Sequence, residues 1–389
     1  MILCFQLIPV QKNRWETLRA AILTVLVFCA TLPTSAARAQ ETPLSSVDEE
    51  CTAIAYASDG RIALGVRHVY NLRQFQVQRD DIFVVGTDGK RKKIVNGEKL
   101  VRGPALPFSY TVSSLRWSPD GSKLIAELLT TQMIDSAGNT KDGVVSLLLE
   151  DSGKEIKIHG GDSDIADATN AAWLGDGVTV VYLTEAVKPK LLYSINSVRP
   201  VSGVFNGLFV GHTFSAVAWN PKQSAAVAVE RASSLSGSPN LVSLDLTKQT
   251  SHELATLESF AGGLSVSPSG AKAAYYLDHE VLEIRDVAAP ERSARLRVGF
   301  GVYQWTPDER RIVLKRGLEH KTADLEWFDV PALTAPAGKT ASPAPPAREP
   351  SLTPILHGLT YRDFEISPDG RFLAVVQPGK RNLLIFPWQ

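Results

Sequence analysis

Cysteine is nearly absent from this sequence: only Cys4, Cys29 and Cys51 occur in 389 residues. Three cysteines make no disulfide framework, so packing must supply the stability. An excess of one charge is also missing. Lys and Arg number 41 and Asp and Glu number 41, which argues against a nucleic-acid binder or an acidic tail protein. Signatures of catalysis are missing as well. There is no G-x-S-x-G, no P-loop, no G-x-G-x-x-G before a helix, no H-E-x-x-H and no paired-cysteine zinc spacing. The seven histidines are scattered through different columns of the pattern described below, so no cofactor and no metal is expected. "GGDSD" (Gly160 to Asp164) with Asp167 is rich in oxygen ligands but lacks the closing Glu of a calcium loop, and it reads as solvated loop.

Long apolar runs are scarce too. The longest mostly apolar stretch, Ala20 to Leu32, is shorter than the ~20 residues of a spanning helix. It follows the basic residues Lys12, Arg14 and Arg19 and precedes the small residues Ala37 and Ala39. That order predicts a signal helix within residues 1–39, cleaved after Ala39. Cys29 follows Phe28 and Val27, which is not the small-residue context of a lipid anchor. Export to a bacterial periplasm or medium is the expectation, with no stable membrane span after cleavage. Cys51 then remains as a single thiol.

What is present is a repeat. "YASDGRIALGV", "RWSPDGSKLIAEL", "AWLGDGVTVVYL", "AWNPKQSAAVAV", "SVSPSGAKAAYYL", "QWTPDERRIVLK" and "EISPDGRFLAVV" align on Asp59, Asp120, Asp176, Lys222, Ser269, Asp308 and Asp369. The intervals run from 39 to 61 residues, a period that signals a repeat architecture. Three positions before each anchor stand Tyr56, Trp117, Trp173, Trp219, Val266, Trp305 and Ile366, types that suit a strand packed between layers. Pro, Asp and Gly in the middle suit the successive positions of a tight turn, Gly taking the positive φ. Gln223 and Glu309 occupy the glycine place in two copies, at a small backbone cost. After the anchor come short continuous apolar runs, which fit strands covered on both faces.

A third apolar run follows in each unit: Asp80–Val85, Gly143–Glu150, Pro189–Ile195, Asn240–Leu246, Glu280–Val287, Asp324–Val330 and Asn382–Trp388. Weaker fourth runs include Lys154–Gly160 and Arg292–Gly299. Seven units of four antiparallel strands predict an all-β, seven-bladed β-propeller over residues 40–389. The last unit lacks its fourth strand, and Glu41–Val47 is expected to fill the gap and close the ring. Pro331–Pro354, rich in Pro and Ala, is expected as a flexible insertion at about 331–354.

"RWSPDGSKLIAEL" and "EISPDGRFLAVV" resemble the TolB-type, WD-like propeller repeats of bacterial periplasmic proteins, and "QWTPDERRIVLK" and "AWNPKQSAAVAV" do so in part. The resemblance implies a propeller over nearly the whole exported chain. It departs from TolB in one respect: only Gln40–Glu50 precedes the first repeat, where TolB carries an α/β domain. The Pal-binding and Tol-system roles are therefore not carried over.

The first unit has a long second-to-third connection, "VRHVYNLRQFQVQRDD" (Val66–Asp81). Arg67, His68, Tyr70, Arg73, Phe75 and Arg79 mix cations with aromatics, a composition enriched at protein interfaces. The same stretch also reads as an extended β-ribbon with a polar outward face. Leu129–Gly143 takes the same place in the second unit, as a second loop of one lip. Two functions compete. One is a monomeric, non-catalytic scaffold for an envelope or secreted protein partner. The other is a small-ligand site, of lyase or lactonase type, in the central funnel.

Overall fold

The computed structural model describes residues 45–47, 50–72, 75–100, 108–133, 139–186, 192–231, 238–316, 323–335, 346–359, 363–377 and 382–388. Contacts divide the chain into residues 1–42 and 43–389. The first unit, with the expected signal helix, lies outside the described residues. Among the described residues no helix is long and apolar enough to cross a membrane.

The described residues are all-β, with one 3-10 turn among them at Pro221–Gln223. A first strand, β1 (Ser45–Val47), leaves to join the far end of the sequence. The first sheet then holds β2 (Cys51–Tyr56), β3 (Ile62–Val66), β6 (Asp81–Val85) and β7 (Arg91–Val95), with a separate ribbon of β4 (Val69–Leu72) and β5 (Phe75–Gln78) between. The second sheet holds β8 (Phe108–Trp117), β9 (Lys123–Met133), β10 (Thr140–Glu150) and β11 (Asp164–Ala166). An eight-stranded sheet follows: β12 (Thr169–Trp173), β13 (Val180–Glu185), β14 (Tyr193–Arg199) and β15 (Val204–Leu208), then β16 (Thr213–Asn220), β17 (Ala225–Arg231), β18 (Asn240–Asp245) and β19 (Thr250–Thr256). Its two halves meet through Tyr193 opposite Phe214. Three more four-stranded sheets complete the chain. They are β20 (Gly262–Val266), β21 (Lys272–Tyr276), β22 (Val281–Asp286) and β23 (Ser293–Arg297); β24 (Gly301–Trp305), β25 (Arg311–Arg316), β26 (Ala323–Asp329) and β27 (Thr353–Leu359); and β28 (Asp363–Ile366), β29 (Phe372–Gln377) and β30 (Asn382–Pro387) with β1.

The closing strand falls where the sequence placed it. Ser45, Ser46 and Val47 lie opposite Ile385, Leu384 and Leu383. Buried clusters fill the spaces between successive sheets, because each sheet is apolar on both faces. Ala53 and Ala63 of the first sheet pack with Val112 and Leu124 of the second. Leu148 packs with Trp173, Val181 with Trp219, and Tyr275 with Val227. The series returns on itself: Ile54 and Leu64 of the first sheet share a cluster with Val376 and Leu383 of the last.

The S-P-D-G turns behave as the residue types dictate. Gly60, Gly121, Gly177, Gly270 and Gly370 take positive φ. Glu309 takes it without glycine, at φ 58°. In the fourth copy the position is Ser224, not Gln223, because the 3-10 turn lengthens the bend by a residue. Neighbouring turns are stitched together. Arg61 donates to Gly121 O at 2.7 Å and to Asp151 at 2.9 Å, Lys123 donates to Gly177 O, and Gln223 donates to Ser269 O at 2.6 Å.

Three expectations shift. The fourth strand of the second sheet is Asp164–Ala166, within the acidic stretch, whereas Lys154–Gly160 forms a loop tied back by Ile156 N to Leu148 O. Leu129–Gly143 is not all loop: β9 and β10 run into it to Met133 and from Thr140, with Leu129 and Thr131 exposed while Leu128 and Thr130 are buried. That alternation is the two-residue period of a strand. The Pro/Ala-rich segment is held at both ends. Thr334 pairs with Ser293, Arg348 runs beside Leu296, and Leu333 and Leu352 pack on the core between sheets. These ends cover the outer edge of β23, which would otherwise be open. Residues 336–345 lie outside the described residues.

Candidate functional site

Three places gather polar side chains that the repeat does not require, and one of them, Glu283 with Arg285, Arg295 and Tyr275, is closed by its own ion pairs and hydrogen bonds. The first is the root of the β4–β5 ribbon. His68 stacks on Tyr70, ring centroids 4.3 Å apart at 15°, and its Nδ1 lies 3.1 Å from Asp81 Oδ2. Arg67 pairs with Glu50. Arg79 is buried, and its Nε donates to Phe108 O at 2.8 Å. Phe75 sits opposite Leu72 in the ribbon, and Arg73 lies outside the described residues. So the fold stacks exposed His68 on half-buried Tyr70, whose hydroxyl points inward, and spends Arg67 and Arg79 on holding the ribbon down.

Two carboxylates that sequence reading missed organise this root. Asp80 is fully buried and accepts from Thr52 Oγ1 at 2.9 Å, Val112 N at 2.9 Å and Gln78 Nε2 at 3.2 Å. Burial raises its carboxyl above the usual range despite those donors. Asp81 is also buried, which opposes ionisation, yet Lys93 Nζ at 2.6 Å, Gly97 N at 2.8 Å and His68 hold it below the usual value. The signal was present: Arg-Asp-Asp directly before an apolar strand places charges where only a paired arrangement survives burial.

The second place is the ring of first strands. Consecutive first strands are tied edge to edge. Trp117 Nε1 of β8 donates to Ala55 O of β2 at 3.1 Å, and Trp219 Nε1 of β16 donates to Asn170 O of β12 at 2.5 Å. Trp305 Nε1 of β24 donates to Ser265 Oγ of β20 at 3.0 Å, and Gln304 Nε2 donates to Phe364 O of β28 at 2.8 Å. Arg116 of β8 spends one nitrogen, Nη1, on Asn170 Oδ1 at 2.9 Å and Ala171 O at 3.0 Å. Glu127 accepts from Asn170 N at 2.8 Å. Burial pushes the Glu365 carboxyl up to about 8; Asp363 adds to this, while the Tyr56 N–H, Gln304 and Arg116 oppose it. Glu365 and Arg116 thus share the ring of first strands, the guanidinium favouring the charged carboxylate.

A cleft of about 500 Å³ between the turns of the first and last sheets holds Asp59 and Asp369, but these pair with Arg61 at 2.7 Å and Arg371 at 2.6 Å. Cys51 is buried, which pushes its thiol up to about 12 and leaves it unreactive. Among the described residues no three His, Cys, Asp or Glu are grouped to hold a metal ion.

Sheets of four antiparallel strands, stacked in a series that returns on itself, define a β-propeller. The comparison with solved structures agrees. The β-propeller domain of Cps50 (Swd1) from Myceliophteria thermophila superposes with a TM-score of 0.54 at 11% identity, covering 89% of this chain and 100% of that one. A chain of a mitotic checkpoint complex matches over 100% of this chain and 98% of its own at 13% identity, with a TM-score of 0.37, too low to support any argument. No protein-family model matches the chain, and no curated protein matches it.

Proposed function

We propose that this chain is a seven-bladed propeller of the TolB-like type, exported to the periplasm or secreted, that acts as a non-catalytic scaffold binding a protein partner of the cell envelope. One observation carries this reading. The β4–β5 ribbon belongs to none of the larger sheets, yet Arg79, Asp80 and Asp81 anchor it through buried hydrogen bonds. Such an anchor fixes the ribbon in one position against β8, which lowers the ordering cost of binding. The ribbon presents His68, stacked on the half-buried Tyr70, and Val69, which is 51% exposed. Capture from an envelope extract tests the reading. A protein retained by the wild type and lost with Val69→Asp and Tyr70→Ala supports it, and retention by all three forms refutes the ribbon as the site.

Glu365 and Arg116 favour a second reading, a small polar ligand held among the first strands. A ligand that shifts the titration of Glu365 would support it.

A further inference from the structure

We propose that the outer edge of β15 is a self-association surface that pairs with β15 of a second copy of this chain.

Each outer strand of a propeller blade offers one unpaired row of backbone N–H and C=O groups. The outer strands here blunt that edge in different ways. β7 carries Arg91, Lys92 and Lys93, β19 carries His252 and Glu253, β23 is covered by Thr334 and Arg348, and β27 carries Pro354. β11 carries Asp164, and β1 has three residues. β15, "VFNGL", has neither charge nor histidine nor proline. Among the described residues its only strand partner is β14.

The edge is also apolar where it faces solvent. Val204 is 47% and Phe205 54% exposed, and Val201 and Val210 beside the strand are 87% and 84% exposed. Isolated exposed apolar residues are ordinary, but four within ten residues of one edge are not.

The sequence of the strand selects the occupant. In an antiparallel pair centred on Asn206, Phe205 of each copy lies opposite Gly207 of the other, and Val204 lies opposite Leu208. An aromatic ring over a glycine fills the gap the missing side chain leaves. A Cβ at Gly207 would meet Val210 Cγ2 at 3.6 Å, so the incoming ring would rest on Val210 as well. No like charges meet along the strand. The basic Arg199 stands at the turn end, and a two-fold axis sets the two turn ends apart. The arrangement is isologous, so it closes as a dimer and does not grow into a filament.

The inference is independent of the ribbon, because none of its residues lies between Val66 and Asp81. Sedimentation velocity of the full chain across a concentration series tests it. The wild type is expected to show a reversible dimer. Phe205→Lys, at an exposed position, is expected to weaken it by roughly tenfold or more, and Phe205→Tyr to retain it. Asn206→Cys is expected to form a cross-linked dimer on mild oxidation, since opposed residues of paired strands lie within disulfide reach. A wild type that stays monomeric throughout overturns the proposal, as does a Phe205→Lys variant that dimerises like the wild type. Val69→Asp should leave the dimer untouched, so failure here and failure of the ribbon reading are told apart.

Discussion

Glu365 and Arg116 act on each other's charge although the first sheet stands between their own two. Each occupies the position four residues ahead of its turn aspartate, Asp369 and Asp120, on the first strand of its sheet. The ring of first strands brings them together. Burial pushes Glu365 from 4.5 to about 8, so between those values the folded chain holds a proton that the unfolded chain has released. Where the folded state binds more protons, stability falls as pH rises. The cost of Glu365 is therefore absent below about pH 4.5, grows up to about pH 8 and is constant above it. Glu365→Gln removes the titration. Its melting temperature should match the wild type near pH 4.5 and exceed it near pH 8 and above. Arg116→Gln removes the cation that eases ionisation and should extend the wild-type decline to higher pH. Thermal melts over a pH series decide it, and a difference that does not grow with pH sinks the assignment.

The tryptophan column makes a sharper comparison. Trp117 and Trp173 hold the same place in consecutive units, and both are buried. Each lies under a cation: Arg61 Cζ is 5.0 Å from the ring of Trp117, and Lys123 Nζ is 4.7 Å from that of Trp173. They differ at the indole N–H. Trp117 donates to Ala55 O, whereas Trp173 Nε1 makes no hydrogen bond among the described residues. Both Trp→Phe changes lose volume and cation–π attraction alike. Trp117→Phe should cost about 1 kcal/mol more in urea unfolding, because it alone loses a side-chain hydrogen bond.

Much of this fold could be read from the sequence, because its repeat is local chemistry. The turn and the apolar runs flanking it lie within a dozen residues, and propensity acts at that range. The closing strand was legible for a related reason: a missing fourth strand at one end and a spare run at the other leave one solution. The encounter of Arg116 with Glu365 was not legible. Residues 249 positions apart meet only through the ring, and in one dimension they look like polar padding before a motif. The ends of the Pro/Ala-rich segment escaped notice because composition speaks of backbone stiffness, whereas the pairing of Arg348 beside Leu296 depends on an edge that sequence does not show. At the ribbon, the cations and aromatics were visible, but which face outward was decided by Asp80 and Asp81.

The serine of S-P-D-G has a measurable role. Ser118 Oγ donates to Asp120 Oδ1 at 2.5 Å and accepts from Lys123 N at 2.9 Å. The Ser118 hydroxyl, followed by the Ser122 N–H and hydroxyl, holds the Asp120 carboxyl down at about 2. The first unit carries Ala57 at the same position, so the turn tolerates the smaller side chain sterically. Ser118→Ala should cost about 1–2 kcal/mol at neutral pH from the lost pair of hydrogen bonds. A depressed carboxyl stabilises above its unfolded value and loses that effect as pH falls. Part of the difference should therefore vanish between about pH 3.8 and pH 2, which denaturant titrations at acid and neutral pH would reveal.

Among the described residues, three form the strand that closes the ring. Ser45, Ser46 and Val47 cover the edge formed by Leu383, Leu384 and Ile385, and the cluster beneath joins Leu383 and Val376 to Ile54 and Leu64. Removing residues through Val47 leaves that edge unpaired, next to the junction of the first and last sheets. Three strand pairs at about 1 kcal/mol for each net hydrogen bond put the loss at roughly 2–3 kcal/mol. An open apolar edge also recruits other chains. The truncated protein should melt lower than a form beginning just ahead of Ser45, and its aggregation on heating should depend more steeply on concentration. Equal melting temperatures for the two forms would mean that the last sheet holds with three strands, and that the pairing of β1 with β30 contributes nothing to closure.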